Sequence, residues 1–213
     1  MRLRLPALVD DRWLPVETAL CQPDSNCHTR PGANRNPGVY WDDVPDNAAS
    51  LVLLCLDRDA PSRRDQLNRE GRLVPASLPR IDFYHWVVID LAPQCNGIAP
   101  GSCSDGIVVG GKTRPAGPPG SRQGRNDYSK WFSNDSDMAG TYRGYDGPCP
   151  PWNDTRLHRY LFRLLALDVA TLPVGDDFDG REAVAACSGR ILATAERTAL
   201  YTLNRALGPD QNR

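Results

Sequence analysis

The feature that most constrains the fold is an uninterrupted apolar run, Leu51-Val-Leu-Leu-Cys-Leu, which stops at Asp57-Arg-Asp-Ala-Pro. Such a run, bounded by turn residues, indicates a strand that is buried on both faces in the middle of a sheet. Two further stretches, Phe83 to Leu91 and Arg159 to Leu167, are rich in aliphatic and aromatic residues and indicate two more core strands. A chain of 213 residues fits one β-rich domain, so we expect a single domain over residues 1–213.

The segments between these strands are dense in Pro, Gly, Asn and Asp, notably Gln22 to Pro37 and Gly97 to Pro151, and are predicted to be loops. Within the second segment, residues 114–124 are predicted to be mobile. The stretch from Gly180 to Arg205 differs, because Ala, Leu, Arg and Glu dominate it and apolar residues recur at helical spacing. We expect it to form one or two helices that cover a face of the sheet.

The composition excludes several classes of protein. The hydrophobic fraction of 40% and the charged fraction of 24% are typical of a globular domain and unlike a disordered chain. A net charge of -1 leaves no surplus of Lys and Arg with which to bind nucleic acid. Because neither a signal peptide nor a membrane-spanning stretch is visible, we expect a cytoplasmic protein.

The seven cysteines are predicted to be mostly reduced, because their number is odd and no secretory signal precedes them. Two local disulfides, Cys21–Cys27 and Cys95–Cys103, stay open as alternatives. Cys21, Cys27 and His28 match no familiar zinc-binding spacing. We therefore expect no metal and no other cofactor.

Two of the three histidines lie in or beside the predicted core strands. Regular alternation predicts that His85 shares a face with Phe83 and Val87, while His158 belongs to a separate strand. A buried imidazole requires a partner for each ring nitrogen, and Asp57 and Asp59, at the end of a third strand, are the candidates. Taken singly, each histidine is more often a core residue than a ligand contact, and the two acids more often terminate a strand.

The segment Gly147-Pro-Cys-Pro-Pro precedes the His158 strand and has few free backbone dihedrals. By itself it is a stiff connection between elements. Cys149 within it is predicted to be a structural thiol rather than a nucleophile, since nothing in the sequence places a base beside it. Ser62 lies near the acids, but no nucleophile motif surrounds it. No catalytic residue is assigned, and a hydrolase that uses the His and Asp residues is the alternative.

Several segments, read together, carry a resemblance to a known family. In chain order they are Gly32-Ala-Asn-Arg-Asn-Pro-Gly-Val-Tyr-Trp, Val44-Pro-Asp-Asn-Ala-Ala-Ser-Leu, Leu56-Asp-Arg-Asp-Ala-Pro, Tyr84-His-Trp-Val-Val, Gly124-Arg-Asn-Asp-Tyr, Tyr145-Asp-Gly-Pro-Cys-Pro-Pro and Leu157-His-Arg-Tyr-Leu-Phe. The chain resembles the phosphatidylethanolamine-binding protein family, and within it the bacterial Raf kinase inhibitor-like branch. The resemblance implies a mainly β sandwich with a large central antiparallel sheet, a smaller sheet and C-terminal helices.

The resemblance also implies a ligand pocket. Carried onto this sequence, the pocket residues are Asp57, Asp59, His85, Pro148, Cys149, Pro150, His158 and Tyr160. The implied ligand is a small anion of the phosphate, phosphoethanolamine (a lipid head group) or carboxylate type. We expect both histidines to donate hydrogen bonds to it, with one of the aspartates holding His85, and we expect no covalent step.

The resemblance extends to partners. Relatives modulate kinases, so inhibition of a kinase or a protease through protein contact is a further alternative, and bacterial members often pair, which implies a homodimer. Two departures from the family pattern stand out. Arg58 replaces a proline and is expected to add a cation beside the pocket, which either raises the affinity for anions or only neutralises Asp57 and Asp59. The loop from Thr113 to Thr141 is long and polar, and is expected to narrow the entrance.

Overall fold

A computed structural model describes residues 1–209 of the protein, so residues 210–213 of the predicted domain lie outside it. The described part contains ten strands and two short α-helices. The strands are β1 (Arg2–Arg4), β2 (Cys21–Asp24), β3 (His28–Pro31), β4 (Val39–Asp42), β5 (Ser50–Pro61), β6 (Arg80–Leu91), β7 (Gly97–Ile98), β8 (Arg122–Gln123), β9 (His158–Leu167) and β10 (Ile191–Tyr201). The helices are α1 (Tyr128–Trp131) and α2 (Gly180–Ala186), and 3-10 turns occupy Val16–Thr18 and Arg205–Leu207.

The central sheet is antiparallel and has the strand order β10-β9-β5-β6-β8. The apolar run predicted to be a central strand is β5, which lies between β9 and β6, so that prediction is confirmed. A second sheet, β1-β4-β7, packs on one face of the central sheet, and β2 and β3 form a separate hairpin. This mainly β sandwich confirms the predicted fold class.

The side chains of β5 alternate between two apolar layers. Leu53 and Cys55 pack on the side of the three-stranded sheet, where Trp41 of β4 is buried. Val52 and Leu54 pack on the opposite side, against the face covered by α2. Each such fully buried aliphatic side chain contributes about 2 kcal/mol to the free energy of unfolding.

The prediction of helix over the whole stretch from 180 to 205 is wrong. Only α2 is helical, and its start is fixed by a capping box in which Asp179 accepts from the backbone of Glu182 while the Glu182 side chain accepts from the backbone of Asp179. Gly189, with φ +74°, then reverses the chain. From Ile191 onward the chain pairs with β9 along its whole length. Pairing in the sheet outweighs the modest helix preference of these residues.

The acidic segment after the apolar run does not end its strand, contrary to the prediction. Strand β5 continues to Pro61, and the acids lie in a bulge. Asp57 is opposite Phe83 and Ala60 is opposite Ile81, so three steps on β5 match two steps on β6. The bulge begins at Asp57, whose side chain is buried.

Two other expectations concern the long loops and the membrane. Arg122 and Gln123, at the end of the segment 114–124, pair with β6 as the short edge strand β8. The mobility predicted for that segment stays a prediction. Among residues 1–209, no helix is both long enough and apolar enough to cross a lipid bilayer.

Candidate functional site

A second bulge, on β6, directs His85 into a pocket. Cys55 is opposite Trp86 and Leu56 is opposite Tyr84, which leaves His85 without a partner across the strand pair. As a result Val87 shares its apolar layer with Tyr84, not with His85, so the face predicted for Val87 is wrong. Phe83, the other residue predicted on the His85 face, does line the pocket with His85. The rings of His85 and Trp86 instead lie on the side of the three-stranded sheet.

One nitrogen of His85 is already bound. Its Nδ1 lies 2.7 Å from the backbone oxygen of Asp146, and because a carbonyl only accepts, Nδ1 carries a proton. Nε2 makes no hydrogen bond to another described residue and is the nitrogen available to a ligand. Burial lowers the pKa of His85 below its usual value of 6.5, although Asp57 opposes this effect. The ring is therefore neutral at neutral pH and presents Nε2 to the pocket as an acceptor.

His158 is held by two carboxylates. Its Nδ1 lies 2.6 Å from Asp57 Oδ2, and its Nε2 lies 3.1 Å from Asp154 Oδ2. Burial alone would lower the pKa of His158, but the two carboxylates outweigh it and raise the pKa to about 9. Both N–H groups of this imidazolium are used within the protein. The prediction that His158 donates to an anion is therefore wrong, and so is the prediction that the carboxylate of Asp57 or Asp59 holds His85.

Tyr160 supplies a free hydroxyl in the same place. Its side chain is fully buried, and Oη has no hydrogen-bond partner among residues 1–209. Burial raises the pKa of Tyr160 well above 10, and the charge of Asp57 raises it further, although the two groups do not meet hydrogen-bond geometry. The hydroxyl therefore keeps its proton and can donate it to a ligand. The ring meets that of His85 edge to face, with 5.3 Å between the centroids.

These side chains surround a pocket of about 40 Å³ that opens to solvent. A water molecule needs about 10–15 Å³ on this measure, so the pocket accepts a group of only a few atoms. Its lining residues are Asp57, Ala60, Pro61, Phe83, His85, Tyr128, Trp131, Cys149, Pro150, Pro151, His158 and Tyr160. Six of the eight predicted site residues are in this set, and the other two, Asp59 and Pro148, are not.

The residues that miss the pocket have other partners. Asp59 is fully buried and accepts hydrogen bonds from the backbone and guanidinium of Arg159. Arg58 extends away from the pocket and pairs with Asp82 at 2.9 Å, so the cation expected beside the site is absent from it. Pro148 precedes the pocket-lining residues Cys149 and Pro150 but does not line the pocket itself. Its carbonyl accepts hydrogen bonds from the backbone N–H groups of residues 20 and 21.

That contact brings Cys21 beside Cys149, and the two form a disulfide with Cα atoms 4.8 Å apart. The prediction of a structural thiol at Cys149 is wrong. Neither local disulfide considered from the sequence forms, since Cys27, Cys95 and Cys103 are free. The bond ties the β2–β3 hairpin to the pocket wall across 128 residues of chain. Five of the seven cysteines remain free thiols.

Several pocket residues were not predicted. Tyr128 and Trp131 come from α1, inside the long loop, and Tyr128 belongs to a segment that carries the family resemblance. That segment was the signal that could have identified it. Asp146, whose backbone oxygen holds His85, also lies in a family segment, the one that begins at Tyr145, and could have been identified in the same way. Asp154, which holds His158, lies in no such segment and gave no signal. Asp154 is itself paired with Arg80 at 2.5 Å.

Comparisons with known proteins agree with this architecture. The sequence profile of the phosphatidylethanolamine-binding protein family matches residues 6–202. A UPF0098 protein of Methanothermobacter thermautotrophicus is 32% identical over 174 residues, which covers 82% of this chain and 87% of the relative. The UPF0098 protein YbhB of Escherichia coli is 30% identical over 171 residues, with 80% and 84% covered.

Solved structures extend the comparison to the fold. Escherichia coli YbcL, described as a new member of the mammalian PEBP family, superposes with a TM-score of 0.65 at 23% identity and covers 94% of this chain and 97% of its own. A phosphatidylethanolamine-binding protein homologue from Chlamydia trachomatis gives 0.62 at 26% identity, with 94% and 95% covered. Together with the profile match over nearly the whole sequence, these likenesses show that the chain belongs to the phosphatidylethanolamine-binding protein family.

Proposed function

We propose that the protein binds a small anion of the phosphate, phosphoethanolamine or carboxylate type in the pocket between His85 and Tyr160. The observation that carries the proposal is the unpartnered Tyr160 hydroxyl beside the free Nε2 of His85. A buried hydroxyl without a hydrogen bond costs about 1–3 kcal/mol, and a ligand oxygen that accepts from it removes this cost.

The acids around the pocket do not oppose an anion as strongly as their number suggests. Asp57 accepts from His158 through Oδ2 and from the backbone N–H of Asp59 through Oδ1 at 2.7 Å. Asp154 is occupied by Arg80 and His158. The imidazolium of His158 and the guanidinium of Arg80 formally balance the two carboxylates, so these groups together carry no net negative charge that would repel an entering anion.

The size of the pocket limits what part of a ligand it accepts. A volume of about 40 Å³ suits the oxygens of a phosphoryl or carboxyl group and leaves the remainder of the molecule outside. The aromatic rings of Phe83, Tyr128 and Trp131 surround this group and exclude water from it. In this proposal the protein recognises a head group, and no covalent step takes place.

Protonation of His85 controls the affinity in this scheme. The neutral ring offers an acceptor at Nε2, which an anion cannot use, whereas the protonated ring donates a charge-assisted hydrogen bond. Because burial lowers the pKa of His85 in the free protein, anion binding has to be coupled to proton uptake. The affinity is therefore expected to rise as the pH falls through the acidic range.

Calorimetric titration with phosphate and with acetate tests the proposal. Affinity should rise by up to about tenfold for each step of one pH unit between neutral pH and the pKa of His85. Tyr160→Phe should weaken binding about tenfold, as expected for the loss of one hydrogen bond to a charged group. The proposal fails if the wild-type protein binds neither anion, or if His85→Ala binds them with unchanged affinity at every pH.

Three other roles, a hydrolase, a homodimer and an inhibitor of a kinase or protease, are proposals that can be tested separately. Ser62, the nucleophile considered for a hydrolase, is exposed beyond the end of β5 and does not line the pocket. Turnover of an ester panel that is lost in His85→Ala would support the hydrolase. Light scattering after size-exclusion chromatography tests the homodimer, and competition between a captured protein and phosphate tests the inhibitor role.

A further inference from the structure

We infer that the anion pocket continues into a second, cationic subsite, which favours ligands that carry two negative charges. This inference rests on the proposed function and specifies its ligand class. A groove of about 270 Å³ adjoins the pocket and shares four lining residues with it: Ala60, Pro61, Phe83 and Trp131. A ligand whose first anionic group occupies the pocket can therefore extend along these four apolar residues into the groove.

Arg64 gives the groove its charge. Its guanidinium carbon lies 3.9 Å from the centroid of the Trp131 ring, and its Nη1 donates to the backbone oxygen of Trp131 at 2.9 Å. Both contacts fix the guanidinium before a ligand arrives. Within the described chain Arg64 pairs with no carboxylate, unlike its neighbour Arg63, which lies 3.5 Å from Asp65. The remaining N–H groups of Arg64 are available to an anion.

The acids near the groove are already neutralised. Asp127 is bound by both oxygens to Arg181, at 2.8 and 3.1 Å, and one of these oxygens also accepts from the backbone of Tyr84. Lys130, which also lines the groove, lies 3.2 Å from Asp179. A second negative charge would therefore meet the unpaired guanidinium of Arg64. A positive charge, such as an ammonium group, would find no free carboxylate here.

The ligand class follows from these two positions. The first group is a phosphate, phosphonate or carboxylate in the pocket, a short carbon spacer contacts Phe83 and Pro61, and the second group is another carboxylate or phosphate at Arg64. We therefore expect a small ligand with two anionic groups to bind more tightly than one whose second group is an amine.

Three phosphonates of nearly equal size separate these cases. Phosphonopropanoate carries a second negative charge, aminoethylphosphonate carries an ammonium group, and propylphosphonate carries neither. At one pH and one ionic strength, calorimetry should show phosphonopropanoate binding about three to ten times more tightly than propylphosphonate, as expected for a partly exposed charge pair with a hydrogen bond. Aminoethylphosphonate should bind no more tightly than propylphosphonate.

Arg64→Ala should remove the advantage of phosphonopropanoate and leave the affinity for propylphosphonate within about twofold, since the first subsite is intact. Arg63→Ala is the matched control and should retain the full advantage. Equal affinities for the three ligands in the wild-type protein, or an advantage that persists in Arg64→Ala, would overturn the second subsite alone. If none of the three ligands binds, the anion pocket itself is refuted along with it.

Discussion

The His158 ring donates from Nδ1 to Asp57 across 2.6 Å, and both side chains are withdrawn from solvent. Together with Asp154 on the other nitrogen, this arrangement raises the pKa of His158 to about 9, against 6.5 for an unperturbed histidine. Between these two values the folded protein holds a proton that the unfolded chain releases. The free energy of unfolding must therefore fall as the pH rises through this window.

We expect the loss to be about 3 kcal/mol, because a tenfold change in a protonation equilibrium corresponds to about 1.4 kcal/mol. Urea unfolding at a series of pH values from 6.5 to above 9 measures it. His28→Gln, which alters an exposed histidine paired with Glu70 and not with Asp57 or Asp154, should retain the slope. A His158→Gln variant with the same slope as the wild-type protein would show that another group is responsible. His85 acts in the opposite direction, since its lowered pKa makes acidification below 6.5 destabilising.

Tyr160→Phe should separate stability from binding. The hydroxyl that it removes is buried and unpartnered, so the free energy of unfolding should change by less than about 0.5 kcal/mol or increase, while anion affinity falls. Tyr145→Phe is the matched control, because Tyr145 is equally buried but donates to the backbone oxygen of Thr18 at 2.8 Å. That variant should lose about 1–3 kcal/mol. Equal losses in the two variants would mean that Tyr160 has a partner in solution.

The disulfide between Cys21 and Cys149 should stabilise the fold by about 3–5 kcal/mol, because it closes a loop of 128 residues in the unfolded chain. Cys21→Ser should lose this amount without added reductant, and the wild-type protein should fall to the same level in a dithiol. Thiol titration of the denatured protein should give five groups before reduction and seven after it. Cys27→Ser serves as the control and should keep the reductant-sensitive difference. Seven thiols without reduction would refute the bond.

Lys112 should be important for the pocket although it does not line it. Its Nζ lies 2.5 Å from Asp146 Oδ1, and the backbone oxygen of Asp146 orients His85. Lys112→Met leaves a buried carboxylate without its cation, so we expect a loss of about 3 kcal/mol in the free energy of unfolding and weaker anion binding. Lys130→Met breaks an exposed pair and should cost less than about 0.5 kcal/mol. Similar losses from the two substitutions would contradict the role assigned to Asp146.

The sequence predicts those elements of the fold whose structure is determined by the residues within the element itself. The apolar run in β5 and the aliphatic stretches of β6 and β9 are strands because each residue supports the same structure as its neighbours. Strand β10 was misassigned because its Ala, Leu, Arg and Glu residues prefer helix weakly, and the pairing with β9 that overrides them is not visible in a local window. The capping box at Asp179 marks the start of α2 but does not determine its length.

The site was predictable in membership but not in detail. Family segments brought both histidines, Asp57 and Tyr160 to one pocket. Their hydrogen bonds depend on two bulges and on distant loop residues, and a period-two pattern contains no information about either. The disulfide partner of Cys149 likewise lies 128 residues away. With seven cysteines in the chain, the sequence alone does not show which of them pairs with Cys149.

The unpaired position of His85 on β6 means that this pocket depends on the number of residues in a strand as well as on their identity. Deleting His85 would make Cys55–Trp86 and Leu56–Tyr84 consecutive pairs of an ordinary ladder. It would also remove the ring that the proposed function requires to be protonated when an anion binds. A relative with the same residue types but one fewer position here would share the architecture and lack the proposed anion site.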